Sequence, residues 1–364
     1  MKENWILKYF PVPAYLRMPA MGIDISDKSF KYIELKKDKD FFYVSRYGTK
    51  VIPNGIIESG EIKQKDKLID FLKSVNKELG VEFINVSLPE EKAFISRIKL
   101  PFMKENDIRG ALEFQMEEHI PLSLSDAIFD FEVIKKEKDK NGNILISMSA
   151  YPKSLVEDYR DVFMSAGFMP LAFEMETQSF ARAMVPSGDN DSYFLVDFGQ
   201  TRISFAIVSE GRIQFTSTIK IGGEKLDEAL VKNLNIDTFK AEDFKKEKGL
   251  RKAKNNEKVF NALLSIISVV KDEINRHIIY WNSHLNELEK NNKRIKKILL
   301  CGGDSNLFGF PEFISYELKL PVELSNPWIN IISFENYVPE IELRESLIYT
   351  VALGLALRSF GFEK

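Results

Sequence analysis

The chain has one cysteine in 364 residues, Cys301, so no internal disulfide is available to it. Its three histidines, His119, His277 and His284, are too scattered for a metal site, and the last two, seven apart on one helical stretch, read as packed or surface residues. No apolar run approaches the ~20 residues that a bilayer span needs. No signal peptide opens the sequence either, so a cytoplasmic protein without a membrane span of its own is the expectation. Neither sign of charge dominates. A net charge of -3 excludes a general attraction to nucleic acid or to an acidic membrane surface, and nucleic acid is not an expected partner.

What is present is an ordinary soluble composition, 44% apolar and 29% charged, over more residues than one core usually serves, which implies two lobes or more. Three short segments carry the chemistry. They are Met21-Gly22-Ile23-Asp24-Ile25-Ser26-Asp27-Lys28-Ser29-Phe30-Lys31, Phe194-Leu195-Val196-Asp197-Phe198-Gly199-Gln200-Thr201-Arg202 and Ile298-Leu299-Leu300-Cys301-Gly302-Gly303-Asp304-Ser305 running on to Gly309. Each is an apolar, strand-like run ending in Gly, Asp and small polar residues. Gly lets backbone N–H groups approach a phosphate closely, and an Asp at a strand end can hold a hydrated cation. Two such turns about half a chain apart point to two lobes closing on one ligand.

Around these segments the texture alternates. Residues 1–19, with an aromatic start and three prolines, read as an arm that covers an apolar groove on the protein or touches a partner or membrane. Over 20–91, strands at 32–35 and 41–47, a Pro53-Asn54-Gly55 turn, a helix at 65–79 and a strand at 83–88 make an α/β lobe. Residues 92–164 read as a small α+β insertion: a strand at 93–100, a helix carrying Ile108, Leu112 and Met116, strands at 127–134 and 144–150 around Asn141-Gly142-Asn143, and a helix from Ser154. The first lobe resumes over 165–187, with a strand at 167–173 and a helix at 176–184, and returns at 343–364. The second lobe, 188–342, opens with a strand run at 193–208 and another at 212–219, which repeats the opening of the first. Its lysine-rich stretch 240–258 reads as a solvated face, and a long helix at 259–288 precedes the third segment.

This order of phosphate-type turn, insertion, connecting helix, second turn, Gly-Gly turn and C-terminal helix resembles the actin-like ATPase superfamily, a two-lobed α/β (ribonuclease H-like) fold. Within it the chain is similar, from about residue 20 to Arg358, to the PilM family of type IV pilus assembly proteins. The segments that carry the similarity are Pro53-Asn-Gly with Glu58-Ser-Gly60, Ser87-Leu-Pro-Glu with Arg97-Ile-Lys-Leu-Pro101, Glu118-His-Ile-Pro121 with Phe129-Asp-Phe-Glu-Val133, Ile221-Gly-Gly223, and Ala352-Leu-Gly-Leu-Ala-Leu-Arg358.

The resemblance implies ATP and Mg²⁺ as cofactors, with Asp24 and Asp197 holding the cation through water and Glu176 as a third metal-facing carboxylate. It implies nucleotide contacts from Ser26, Lys28 and Ser29 in the first turn, from Gly199 and Thr201 in the second, from Gly222 and Gly223, from Gly302 and Gly303 beside the adenosine, and from Ser305 near the α-phosphate or ribose. Glu273 and Arg276, with Tyr280, share the helix face on which related chaperone ATPases clasp adenine and ribose; paired surface charges on a helix are the plain alternative. Two departures bear on hydrolysis. Ser26-Asp27 adds a carboxylate that would repel phosphate unless it points elsewhere. Thr201 and Ile203 stand where the second turn normally has a Gly and a Thr. Arg202 is then either a charge for phosphate or an exposed side chain. No general base stands out, and the reading is a nucleotide-dependent scaffold that hydrolyses ATP slowly at most.

The resemblance also implies a cytoplasmic component, peripheral to the inner membrane, that grips the N-terminal cytoplasmic peptide of PilN in a groove around residues 97–118. It would touch the pilus motor and platform proteins and self-associate through the insertion. Two rivals share the fold. One is an actin-like division or shape protein of the FtsA type, whose usual C-terminal membrane helix has no counterpart before Lys364; the other is a sugar or acetate kinase, against which the insertion's size and place argue.

Overall fold

The computed structural model describes residues 18–38, 41–135, 142–285, 293–331 and 337–361; residues 1–17 of the expected arm at 1–19, the turn residue Asn141 and residues 286–288 of the expected long helix lie outside them. The chain opens with β1 (Met21–Ile25), β2 (Ser29–Asp38) and β3 (Phe41–Val51), a small hairpin of β4 (Ile57–Glu58) and β5 (Glu61–Ile62), then α1 (Lys65–Leu79) and β6 (Phe83–Leu88). β1 is buried along its whole length because β2 flanks it antiparallel on one side and β6 parallel on the other. α1 buries Leu68, Leu72, Val75 and Leu79 as one stripe, and stops at Gly80, whose left-handed φ of 61° lets its N–H cap the Asn76 carbonyl at 2.7 Å.

The insertion follows as β7 (Phe94–Pro101), α2 (Glu105–His119), β8 (Ala127–Lys135) and β9 (Asn143–Pro152), a three-stranded antiparallel sheet in the order β7-β9-β8. It has its own core, including Ile98, Leu112, Met116, Ile146 and Met148. α3 (Lys153–Ser165) instead packs Leu155, Tyr159, Val162 and Phe163 into the first-lobe core. The insertion's core therefore closes at β9, earlier than the change of texture near residue 164 suggests. β10 (Met169–Met175) then pairs with β6 in parallel, completing the order β10-β6-β1-β2-β3, and α4 (Glu176–Met184) leads out.

The second sheet repeats that topology. β11 (Ser192–Phe198) is central, β12 (Ile203–Ser209) and β13 (Arg212–Ile219) lie antiparallel on one side, and β14 (Ile295–Cys301) and β15 (Val322–Leu324) lie parallel on the other. The run 193–208 is thus two strands, broken at residues 199–202, where the Gly199 N–H bonds to the Arg202 carbonyl at 3.0 Å. Between the sheet's two halves run α5 (Gly223–Leu234), α6 (Thr238–Glu247) and α7 (Glu257–His284), while α8 (Phe310–Leu318) joins β14 to β15. The lysine-rich stretch is not wholly solvated, since α6 turns Ala241 and Lys245 inward.

α9 (Thr350–Arg358), buried from Thr350 to Leu357, lies with α4 between the lobes. One side packs with Ile33, Leu35 and Phe42 of the first sheet; the other, with Phe180 and Met184, packs with Tyr193, Leu195 and Ala206 of the second. Backbone meets backbone here. A Cβ on Gly354 would overlap the Ser179 carbonyl, and one on Gly22 would overlap that of Ala352.

Candidate functional site

The tight Ser26–Ser29 turn, closed by the Ser26 N–H on the Ser29 carbonyl at 2.9 Å, sets Asp24 opposite Lys31 in the β1–β2 register. Lys31 Nζ reaches Asp24 Oδ2 at 3.0 Å, and Ser87 Oγ donates to Asp24 Oδ1 at 3.1 Å, so this buried carboxylate has a partner on each oxygen. Burial pulls the Lys31 pKa down, but Asp24, Asp197 and Glu176 outweigh it and hold the ammonium above its usual value. The three carboxylates singled out as metal-facing thus act together on a lysine. Among the described residues no three His, Cys, Asp or Glu side chains have the spacing of metal ligands.

Elsewhere in the first turn, Ser26 and Ser29 share a hydroxyl–hydroxyl bond of 2.9 Å, and Lys28 crosses to Glu224 at the start of α5. Asp27 points away from the turn's N–H groups. Its carboxylate accepts the N–H groups of Ser59 and Gly60, each at 2.9 Å, and lies 4.0 Å from Arg202.

Arg202 is neither exposed nor unpaired. It is buried, 2.6 Å from Glu176 Oε1 and 3.0 Å from Glu91 Oε1, and so ties the second turn to the first lobe. Burial pushes the Glu176 carboxyl well above its usual range; Arg202 opposes this, while Asp24, Glu91 and Asp197 add to it. Asp197 moves the same way, to about 6, again through burial, with Lys31 and Arg202 pulling down and Asp24 pushing up.

The second turn is built by close packing. The N–H groups of Gly223 and Glu224 bond to the carbonyls of Gly199 and Gln200 at 3.1 and 2.9 Å, which seats α5 on the turn. A Cβ on Gly222 would overlap the Gln200 carbonyl, and one on Gly223 the Asp304 carboxylate. Gly302, at φ +85°, passes where any side chain would overlap Asp197 and the Phe198 backbone, and Gly303 lies beside Ile348. Gly199, Gly222, Gly223, Gly302 and Gly303 are thus brought together with Thr201. Lys245 holds Asp304 and Asp227, each at 2.9 Å.

Three expected contacts face elsewhere. Ser305 is fully buried, with its hydroxyl donated to the Cys301 carbonyl. Glu273 pairs with Arg276 and lies 3.1 Å from His277, whose ring packs on Phe194, Phe205 and Phe215 of β11, β12 and β13. A different face of α7, with Phe260, Leu264, Ser268 and Lys271, lines a cavity of about 1010 Å³ together with Leu307, Phe308 and Gly309, downstream of the Gly-Gly turn.

One feature unites the two Asp turns. Among the described residues, the N–H groups of Asp27 and Lys28 in the first, and of Gln200 and Thr201 in the second, meet no acceptor. Successive open N–H groups at a turn form a cradle for an anion, and Lys28, Lys31 and Arg202 surround these. Sequence reasoning gave no site role to Lys31, although it ends the first segment, nor to Ser87, Glu91 or Lys245. Counting the hairpin register outward from Ser26–Ser29 would have found Lys31; the others rest on contacts distant in sequence.

Residues 22–360 match the family described as Type IV pilus assembly protein PilM. Among solved structures the chain is similar to a PilM-PilN type IV pilus biogenesis complex, at 19% identity and a TM-score of 0.77 over 94% of this chain and 99% of that one. It is similar also to MreB5 of Spiroplasma citri bound to ADP, at 14% identity and a TM-score of 0.54, covering 95% and 98%. A third is the ethanolamine utilization protein EutJ from Carboxydothermus hydrogenoformans, at 14% identity and 0.52, covering 97% and 95%. These likenesses show the two-lobed actin-like fold.

Proposed function

Because this chain belongs to the PilM family of type IV pilus assembly proteins, we propose that it serves the inner-membrane assembly platform as an ATP-binding scaffold. It grips the N-terminal cytoplasmic peptide of PilN, the protein that accompanies PilM in the similar solved complex, and joins the platform to the assembly motor. The peptide lies between the first lobe and the insertion, around residues 97–118. Copies of the chain associate through the insertion, which exposes Phe102 and Phe114. Among the described residues no helix is long and apolar enough to cross a membrane, and the chain reaches the membrane through its partners, from the cytoplasm.

The observation that carries the nucleotide reading is the pair of open N–H cradles, one per lobe, flanked by three cations. The residues fit Mg-ATP: the cradles answer phosphate, the glycines keep Cβ atoms out of the second turn, and Asp24 and Asp197 would hold the cation through water. When bound, Mg-ATP supplies the anionic charge that draws the two turns together. Glu176, held by Arg202, is poorly placed to take a proton from water, so turnover is slow.

Calorimetric titration with Mg-ATP and with a synthetic N-terminal peptide of the PilN from the same genome tests this. Both should bind, and Asp197→Ala should lose the nucleotide while keeping the peptide and the fold. A wild-type protein that binds neither leaves the scaffold reading without support.

A further inference from the structure

Arg202 belongs to the second lobe's turn, yet every acid it holds belongs to the first lobe. One of them, Glu91, lies on the short 3-10 turn Glu90–Lys92, which runs directly into β7, the strand on which the insertion hangs. Its neighbour Glu90 is buried and accepts both the N–H of Thr177, at 3.2 Å, and its hydroxyl, at 2.9 Å, at the start of α4. The insertion is tied to the second lobe independently as well. Arg212 of β13 reaches Glu132 at 2.6 Å and the Ile134 carbonyl at 2.9 Å, and Arg97 bonds to Gln214. The root of the insertion is therefore fixed by a charge that comes from the turn next to the Gln200 and Thr201 N–H groups.

From this placement we infer that the Arg202–Glu91 pair couples phosphate occupancy of the cleft to the insertion, and so regulates peptide binding. The inference rests on the scaffold reading above. A phosphate seated on Gln200 and Thr201 lies beside Arg202 and competes with Glu91 for the guanidinium, whose planar fork suits phosphate as well as carboxylate. Glu176 is the more buried partner and the nearer, so Glu91 is the one released. Release loosens the Glu90–Lys92 turn and with it the seating of β7. The two positions of Arg202, on Glu91 or on phosphate, are the two states that a ligand must tell apart for coupling to exist.

The test is the affinity of the PilN peptide with and without Mg-AMPPNP, in the wild type, Glu91→Gln, Arg202→Gln and the double variant. The nucleotide should change the wild-type Kd about fivefold, and each single variant by less than about twofold, with no further loss in the double variant. Hydrogen exchange over residues 90–97 should rise on adding nucleotide in the wild type alone. Glu91→Asp, which keeps the charge but shortens the arm, serves if the amide variant does not fold. An unchanged fivefold factor in Glu91→Gln overturns the inference, as does a wild-type factor of one while both ligands bind. A wild type that fails to bind one of the ligands overturns the scaffold reading itself, and the inference with it.

Discussion

In each lobe the strand parallel to the central one runs into a short 3-10 turn, and the two turns are filled in opposite ways. After β6 comes Pro89 and then Glu90–Lys92; after β14 comes Gly302 and then Gly303–Asn306. The first lobe contributes charge, with Glu90 holding the start of α4 and Glu91 reaching Arg202. The second contributes room, because Gly302 passes where a methyl would overlap Asp197 and Phe198. A repeated sheet therefore does not make two equal half-sites. At these two turns the first lobe reaches across with a carboxylate, and the second clears the space beside Asp197.

The sharpest way to break this contrast is Gly302→Ala. Left-handed φ and overlap with backbone act together there, and the expected loss is about 3 kcal/mol in urea denaturation. Gly80→Ala is the control: its φ is 61° but nothing lies within 4 Å of the added carbon, so only the conformational strain, about 1 kcal/mol, applies. Equal losses at the two sites would remove the argument for clearance.

A smaller effect of opposite sign is expected at Asp197. The folded protein raises its pKa from 3.8 to about 6, so the folded state binds the extra proton between those values, and stability falls as pH rises through that window. Asp197→Asn should therefore gain on the order of 2 kcal/mol at neutral pH, after allowing for partial exposure, and nothing near pH ~4, while losing Mg-ATP. A gain that is the same at both pH values would mean that charge at this strand end is not what the second lobe tolerates at a cost.

The smallest effect is at the mouth of the cleft, where Lys28 and Glu224 link the lobes with each side chain one-third exposed. Lys28→Ala should cost about 0.5 kcal/mol or less, and added salt should erase even that. A loss comparable to that at Gly302 would move the inter-lobe bond from the buried Arg202 to the rim.

The sequence shows the first lobe's elements clearly, because period-two strands and the Leu68, Leu72, Val75, Leu79 stripe are local patterns that burial then satisfies. The three Asp and Gly turns are legible for the same reason, each being a strand end with its own punctuation. The direction of Asp27 is not, since its partners, Ser59 and Gly60, lie more than thirty residues on. Nor is the burial of Arg202, which depends on acids from two separate stretches, Glu91 and Glu176. Glu273 and Arg276 show the limit of periodicity: it identifies a shared helix face but not the object that face meets, here a histidine among phenylalanines. Lys245 misleads for a related reason, as a lysine-rich stretch reads as solvated until two aspartates are found to pull one member inward.

The crossing of α9 over α4 and β1 has a mechanical meaning. Where Gly354 rests on the Ser179 carbonyl and Gly22 on that of Ala352, no side chain pads the contact. The first lobe's own layers are pinned rather than cushioned here, whereas the side chains of Phe180, Met184, Val351 and Leu355 cushion the same two helices against the second sheet. A methyl at either glycine would be a shim in that stack, lifting α9 off β1 at Gly22 or off α4 at Gly354.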